Sequence, residues 1–253
     1  GYRLPPEHAF CRADSNGNAA GNTLEEAILH GFLELVERDA AALWWYNRLS
    51  RPAVNLDSLA HPYLGALRDH YRALGRDIWV LDITSDFEIP AFAAVSRTRN
   101  ANAVDFLLGM GAHFDPVIAI SRALTEMNQF LPGILSGRRG RVLGCEGFDT
   151  AFLRPDPDQA PKNVENFLRR ATDDFRDDVI TCVKLAQARG LETLVLDQTR
   201  PDVGLPVVKV IVPGMRQFWA RFGEGRLYDV PVKMGWVKKR LTEEQLNPVR
   251  IFV

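Results

Sequence analysis

The chain has 253 residues, 46% apolar and 25% charged, an ordinary globular composition that excludes wholesale disorder and collagen-like repetition. Its 31 basic and 32 acidic side chains leave a formal net charge of -1, with no overall electrostatic pull toward nucleic acid or an anionic membrane. Cys11, Cys145 and Cys182 are odd in number, far apart and in no Cys-x-x-Cys, so neither a disulfide framework nor structural zinc is expected.

The opening from Tyr2 to Asn22 is rich in Pro, Asn and Gly and reads as loop or irregular strand. Thr23 to about Trp45 is the strongest helix, with Thr23 as N-cap and Glu26 completing a capping box. Asp57 to Ala73 reads as a second helix, ended near Gly75. Ile78 to Thr84 and Ala91 to Ser96 are apolar runs that predict two strands of one sheet, and Asp105 to Gly111 adds a third. Asp115-Pro116 is N-cap followed by proline at the first helical position, opening a helix expected to stop before Pro132.

Gly137 to Lys162 has many Gly, Pro and Arg residues and few periodic apolar positions, the pattern of a mobile loop. Val164 to Arg189 predicts one or two helices closed by Gly190, and Leu191 to Asp197 and Val207 to Val212 predict strands. This alternation argues for an α/β fold, a mixed sheet with packed helices in a single domain. No stretch approaches the ~20 apolar residues of a spanning helix, and no signal-peptide core follows Gly1. The expected compartment is cytoplasmic. Gly1 at one end and Ile251, Phe252 and Val253 at the other read as the ends of a piece of something longer.

Candidate chemistry begins on the first helix. Advancing ~100° per residue, Glu26, His30, Glu34 and Glu37 fall within an arc of roughly 80°. Ile28, Gly31, Phe32 and Leu35 take the opposite face, and Leu29, Leu33 and Val36 leave little of the cylinder polar. One reading is a solvated amphipathic face. The other is a set of hard-cation ligands, because carboxylates crowded on a largely apolar helix repel one another until a cation neutralises them. Glu26 and Glu37 lie ~16 Å apart along the axis and cannot share an ion, whereas Glu34 and Glu37 can. That spread suits magnesium ions shared with a polyphosphate.

Arg122 and Glu126, with Gln129 beyond them, form a second polar group on the Asp115 helix. A surface pair in this order is weakly stabilising, while the apolar neighbours Ile120, Leu124 and Met127 suggest a core setting. The loop Ser15-Asn-Gly17-Asn-Ala-Ala-Gly21-Asn22 runs straight into the acidic helix, where backbone N–H groups can receive phosphate. It is not a Walker A sequence, and Gly109-Met-Gly111 lacks the third glycine of a dinucleotide fingerprint.

Ser15-Asn-Gly-Asn-Ala-Ala-Gly-Asn-Thr-Leu-Glu-Glu26-Ala, followed by Glu34-Leu-Val-Glu37-Arg38, closely resembles the YcaO superfamily, whose signature is a Ser-x-Gly-x-Ala-x-Gly loop, Glu-Ala and then Glu-x-x-Glu-Arg. Arg122-Ala-Leu-Thr-Glu126 is similar to the family's Arg-x-x-x-Glu. Gly111-Ala-His-Phe-Asp-Pro116, Val212-Pro-Gly214-Met-Arg and Gly225-Arg-Leu-Tyr228-Asp-Val-Pro231 extend the likeness toward the SagD-type branch, the D proteins of azole-modified peptide and bacteriocin clusters. The resemblance implies an ATP-dependent cyclodehydratase using Mg2+. In that chemistry a Cys, Ser or Thr side chain attacks the preceding peptide carbonyl. Phosphorylation of the resulting oxygen and loss of phosphate then give a thiazoline or oxazoline.

Carried over by motif, Glu26, Glu34, Glu37 and Glu126 would contact magnesium, with Ser15, Asn22, Arg38 and Arg122 joining them around the nucleotide. Glu34, Glu37 and Arg38 would be the catalytic set, and His30 a supporting residue. The implied partners are a precursor peptide, an E1-like or leader-binding C protein, a flavin-dependent B dehydrogenase and a second copy in a homodimer. Two features depart from the pattern. Only 14 residues precede Ser15, leaving no room for a preceding acidic helix of the family's ATP site, and the tail Asn247-Pro248-Val-Arg250-Ile-Phe-Val253 has one proline where many members alternate several. The expectation is therefore the C-terminal portion of a YcaO domain over residues 1–253. The alternatives are a non-catalytic docking scaffold of the azole-forming complex and a relative that forms thioamides or amidines.

Overall fold

A computed structural model describes residues 14–59, 61–99, 106–136 and 149–251. Along the chain come β1 (Asn18–Ala20), α1 (Leu24–Tyr46), α2 (Pro62–Ala73), β2 (Arg76–Asp82), β3 (Ala91–Thr98), β4 (Phe106–Ala112) and α3 (Pro116–Leu135). They are followed by α4 (Phe175–Gln187), β5 (Leu194–Asp197), β6 (Val207–Ile211) and α5 (Arg226–Lys233).

Helix α1 organises the rest. The Thr23 hydroxyl accepts the Glu26 N–H at 3.1 Å, satisfying one orphan donor of the first turn as the sequence predicts. Its 23 residues extend about 34 Å at the helical rise. Ala27, Phe32, Val36, Ala40, Leu43 and Trp45 are fully buried, spread around the cylinder. A helix apolar on nearly every side needs partners on nearly every side. It lies between two sheets, against β1 and β6 on one and β3 and β4 on the other, with α4 and α5 also packed on it.

Among the described residues the named strands form two three-stranded antiparallel sheets, ordered β1-β6-β5 and β2-β3-β4. The α/β class holds, but the strands divide between two sheets. Parallel pairing enters through the isolated bridges Arg51 to Pro155 and Val54 to Lys162 beside β2. In β3, Ala91, Ala93 and Val95 pack on the α1 side while Phe92 and Ala94 pack with α2 and α3. Both faces are covered, so the strand reads as a continuous apolar run without alternation.

Gly109 and Gly111 set the distance between β4 and α3. A Cβ at Gly109 would sit 2.2 Å from the Met127 nitrogen, and one at Gly111 would sit 2.2 Å from the Ala119 oxygen. These glycines serve close strand–helix packing, which brings the Arg122 and Glu126 positions of α3 beside the edge of β4.

Three sequence expectations change and one helix is new. Leu56–Leu59 is a 3-10 turn and α2 starts afresh at Pro62, whose missing N–H costs nothing at a first helical position. Helix α3 runs through Pro132 to Leu135; Pro132 is exposed and lies in the last turn, where few intrahelical bonds remain to be lost. Helix α5, which contains Pro231, is an addition. The described part of the expected mobile loop, 149–162, is pinned: Phe152 packs against Trp44 and Trp45 at 5.5 and 5.4 Å, and the Leu153 carbonyl accepts Trp79 Nε1 at 2.8 Å. Residues 137–148, Cys11 and Cys145 lie outside the described residues. No helix among the described residues is long and apolar enough to cross a membrane.

Candidate active site

The acidic stripe of α1 and the Arg122–Glu126 pair of α3 meet across the edge of β4. Glu34, Glu37 and Arg38 from α1, Met110 from β4, and Arg122, Thr125, Glu126 and Gln129 from α3 line one cleft of ≈ 390 Å³. The close α3–β4 packing makes the junction possible. Glu126 Oε2 accepts the Met110 N–H at 2.9 Å, and Arg122 Nη1 reaches the Ala112 carbonyl at 3.5 Å.

Within α1, Arg38 spans two carboxylates, with Nη2 3.3 Å from Glu34 Oε1 and Nη1 3.4 Å from Glu37 Oε1. Glu34 is also tied to the entry loop through Gly17, whose N–H donates to Oε2 at 3.0 Å. Gly17 has φ 77°, and a Cβ there would meet the Val210 carbonyl at 2.2 Å, so only glycine lets the loop lie this close.

Glu37 is the group under most stress. Burial, with Glu126 and Glu34 nearby, pushes its carboxyl up to about 7 against the opposing pull of Arg38 and Arg122. A desolvated carboxylate with two like neighbours is costly without a cation. Among the described residues no three ligating side chains converge on one point. The carboxylates are instead spaced along the cleft, as suits hard cations that complete their coordination with phosphate oxygens and water. The donor set thus fits Mg2+ together with a polyphosphate, and the two guanidinium groups supply charge for the phosphates.

Three other sequence candidates lie outside this cleft. Glu26 Oε2 accepts the Asn22 backbone N–H at 2.6 Å and its Nδ2 at 2.9 Å, which holds its carboxyl below the usual range. Ser15 is exposed, and its carbonyl accepts from Asn18 N–H. The amides of Asn16, Gly17, Asn18, Gly21 and Asn22 already donate within the protein. The loop therefore acts on the site by holding Glu34, with those donors committed.

The structure gives roles to residues that the motifs contain or adjoin without assigning them one. Asp39, next to Arg38, is fully buried and receives Arg226 through Nε at 3.0 Å and Nη2 at 2.6 Å, and the Arg216 N–H at 2.8 Å. Arg226 also bonds Asp86 at 2.7 Å, joining α1, α5 and the β2–β3 connection. An acid at an otherwise apolar helix position is the sequence signal for such a pair. His113 is the other such residue. Its Nδ1 accepts the Asp115 N–H at 2.9 Å, and burial beside Arg122 lowers it to about 4.

With this geometry in place, comparison with known proteins is decisive. Residues 2–216 match the family model described as YcaO cyclodehydratase, ATP- and Mg2+-binding. The chain belongs to the YcaO family. A heterocyclase solved in complex with substrate and cofactor is 56% identical with a TM-score of 0.93, over 100% of this chain and 35% of that one. YcaO from Methanopyrus kandleri, bound with AMPPCP and Mg2+, is 25% identical with a TM-score of 0.67, over 85% of this chain and 57% of that one. An uncharacterized protein of Methanothermobacter thermautotrophicus is 31% identical over 229 residues, 85% of this chain and 59% of its own length. This YcaO chain thus spans about a third of the heterocyclase and somewhat under two thirds of the Methanopyrus and Methanothermobacter relatives.

Proposed function

We propose that the chain is the C-terminal portion of the YcaO domain in an ATP-dependent, SagD-like cyclodehydratase that forms azoline rings in ribosomal peptides. The observation that carries this reading is the cleft in which α1 and α3 place three carboxylates, Glu34, Glu37 and Glu126, around two guanidinium groups, Arg38 and Arg122. Likeness to a heterocyclase at 56% identity supports the ring-forming class.

When bound, magnesium-ATP supplies the phosphoryl group that makes the former amide oxygen a leaving group. The side chains described here do the positioning. Glu34, Glu37 and Glu126 would hold the cations, and Arg38 and Arg122 would offset the charge of the phosphates. Asn22 and Glu26, hydrogen-bonded to each other at the head of α1, and Ser15 in the same loop would reach the nucleotide only by exchanging their present internal hydrogen bonds for contacts to it. A peptide Cys, Ser or Thr supplies the attacking atom, so no protein nucleophile is required. The working assembly includes the precursor peptide, an E1-like or leader-binding C protein, a second copy of the chain and, for oxidation to azoles, a flavin-dependent dehydrogenase. Its compartment is the cytoplasm, where the precursor is made.

Glu37→Ala in the complete protein, assayed with partner and peptide, tests the assignment. ATP hydrolysis and ring formation should both collapse; unchanged rates would remove Glu37 from the site. Calorimetry separates the scaffold alternative, since partner binding without nucleotide affinity in the unaltered complete protein would favour docking over catalysis.

A further inference from the structure

Arg38 is held less tightly by its carboxylates than its position suggests. Its contacts to Glu34 and Glu37 are 3.3 and 3.4 Å, beyond the 2.7–2.9 Å of a strong charge-assisted bond, and its buried Nε has no hydrogen-bond partner among the described residues. What closes on the guanidinium instead is an aromatic face. The Phe218 ring centroid lies 4.5 Å from Arg38 Cζ, well inside the range of cation–π attraction.

That ring is itself fixed from two directions. The Tyr46 hydroxyl, two helical turns beyond Arg38 on α1, donates to the Phe218 carbonyl. Two residues before Phe218, the Arg216 N–H donates to buried Asp39 at 2.8 Å. Asp39 is clamped in turn by both Nε and Nη2 of Arg226. The segment carrying Phe218 is thus anchored to the same helix as Arg38, at Asp39 and at Tyr46, both C-terminal to it.

We propose that Phe218 is a positioning residue that holds the Arg38 guanidinium across Glu34 and Glu37 in the orientation that receives the nucleotide phosphates. The inference rests on the assignment of the cleft to magnesium-ATP. Without the ring, Arg38 can swing out of the span between the carboxylates, and part of the free energy of nucleotide binding goes into restoring it.

The test is steady-state kinetics of the complete cyclodehydratase with partner and peptide, varying ATP. Phe218→Leu, which keeps an apolar side chain but removes the π face, should raise the KM for ATP about fivefold and also lower kcat, because Arg38 both binds and neutralises the phosphates, while the peptide KM stays near its original value. Phe218→Tyr, which keeps the face, should restore the ATP KM to within about twofold. A merely structural role would lower the active fraction, reducing kcat with the ATP KM unchanged, and that result overturns the inference. So does equal loss in the Leu and Tyr variants. Should Phe218→Leu fail to fold, Tyr46→Phe removes the hydroxyl that bonds the Phe218 backbone carbonyl. It must then raise the ATP KM in the same direction, and an unchanged value counts against the proposal. Glu37→Gln run alongside keeps the two readings apart: full activity there sinks the site assignment, whereas loss there with an unshifted Phe218→Leu sinks only the role of the ring.

Discussion

Glu37→Gln keeps the size and shape of the side chain and removes the charge that burial disfavours. In the fold the carboxyl is pushed up to about 7 from an ordinary 4.5, chiefly by burial and then by Glu126 and Glu34. Between those two values the folded chain holds a proton that the unfolded chain has lost, so parent stability falls as pH rises through this window and levels off above it. One pKa unit is worth about 1.4 kcal/mol, so the penalty is under ~1 kcal/mol at pH ~5 and about 3 kcal/mol at pH ~8. The amide does not titrate and escapes it. Urea unfolding of both proteins at the two pH values, without divalent cations, should show the variant gaining about 2 kcal/mol on the parent between them. A stability difference that does not change with pH, or that moves in the parent's favour toward pH ~8, would refute the claim that Glu37 is a strained carboxylate. The same substitution should abolish ring formation in the complete protein, placing Glu37 among residues kept for function at a cost in stability.

Gly109→Ala should destabilise by about 3 kcal/mol or more in urea, because its methyl group would meet α3 backbone, whereas Gly65→Ala in α2, with open space at its Cβ, should stabilise by ~0.5–1 kcal/mol. Asp39→Ala should cost roughly 3–5 kcal/mol, read as a lowered urea midpoint, because it leaves the largely buried Arg226 with Asp86 as its one close carboxylate partner among the described residues. His113 should show no protonation between about pH 5 and 8 and carry its proton on Nε2 in nitrogen NMR, since its Nδ1 accepts from Asp115. Titration near the ordinary histidine value would place the ring elsewhere.

Local signals in the chain carried far. The Thr23 cap, the acidic stripe on a helix otherwise apolar all round, and the Asp115-Pro116 start were all legible because each is written within a few residues of itself. The pairing of the stripe with Arg122 and Glu126 was suggested by motif alone, since the contact depends on two glycines in β4 whose significance appears only when α3 lies against them. Asp39 and Arg226 are 187 residues apart and share no periodicity, so the acid at a buried helical position and the motif that contains Arg226 gave no sign that the two pair. Pro132 misled for a different reason. Proline disrupts a helix by sterics and a lost hydrogen bond, and at an exposed site near the C-terminus both costs are small enough for α3 to continue. The division into two sheets follows from α1 being buried on both sides, which is a property of tertiary packing.

If the cleft serves phosphorylation of an amide oxygen during ring closure, that oxygen must leave on phosphate. The most direct test follows a heavy-oxygen label placed on the peptide carbonyl that precedes the cyclising residue, in a single turnover of the complete protein with magnesium-ATP. The label should leave in inorganic phosphate, in step with the ring formed. Label released as water, or rings formed at the same rate without nucleotide, would contradict that assignment.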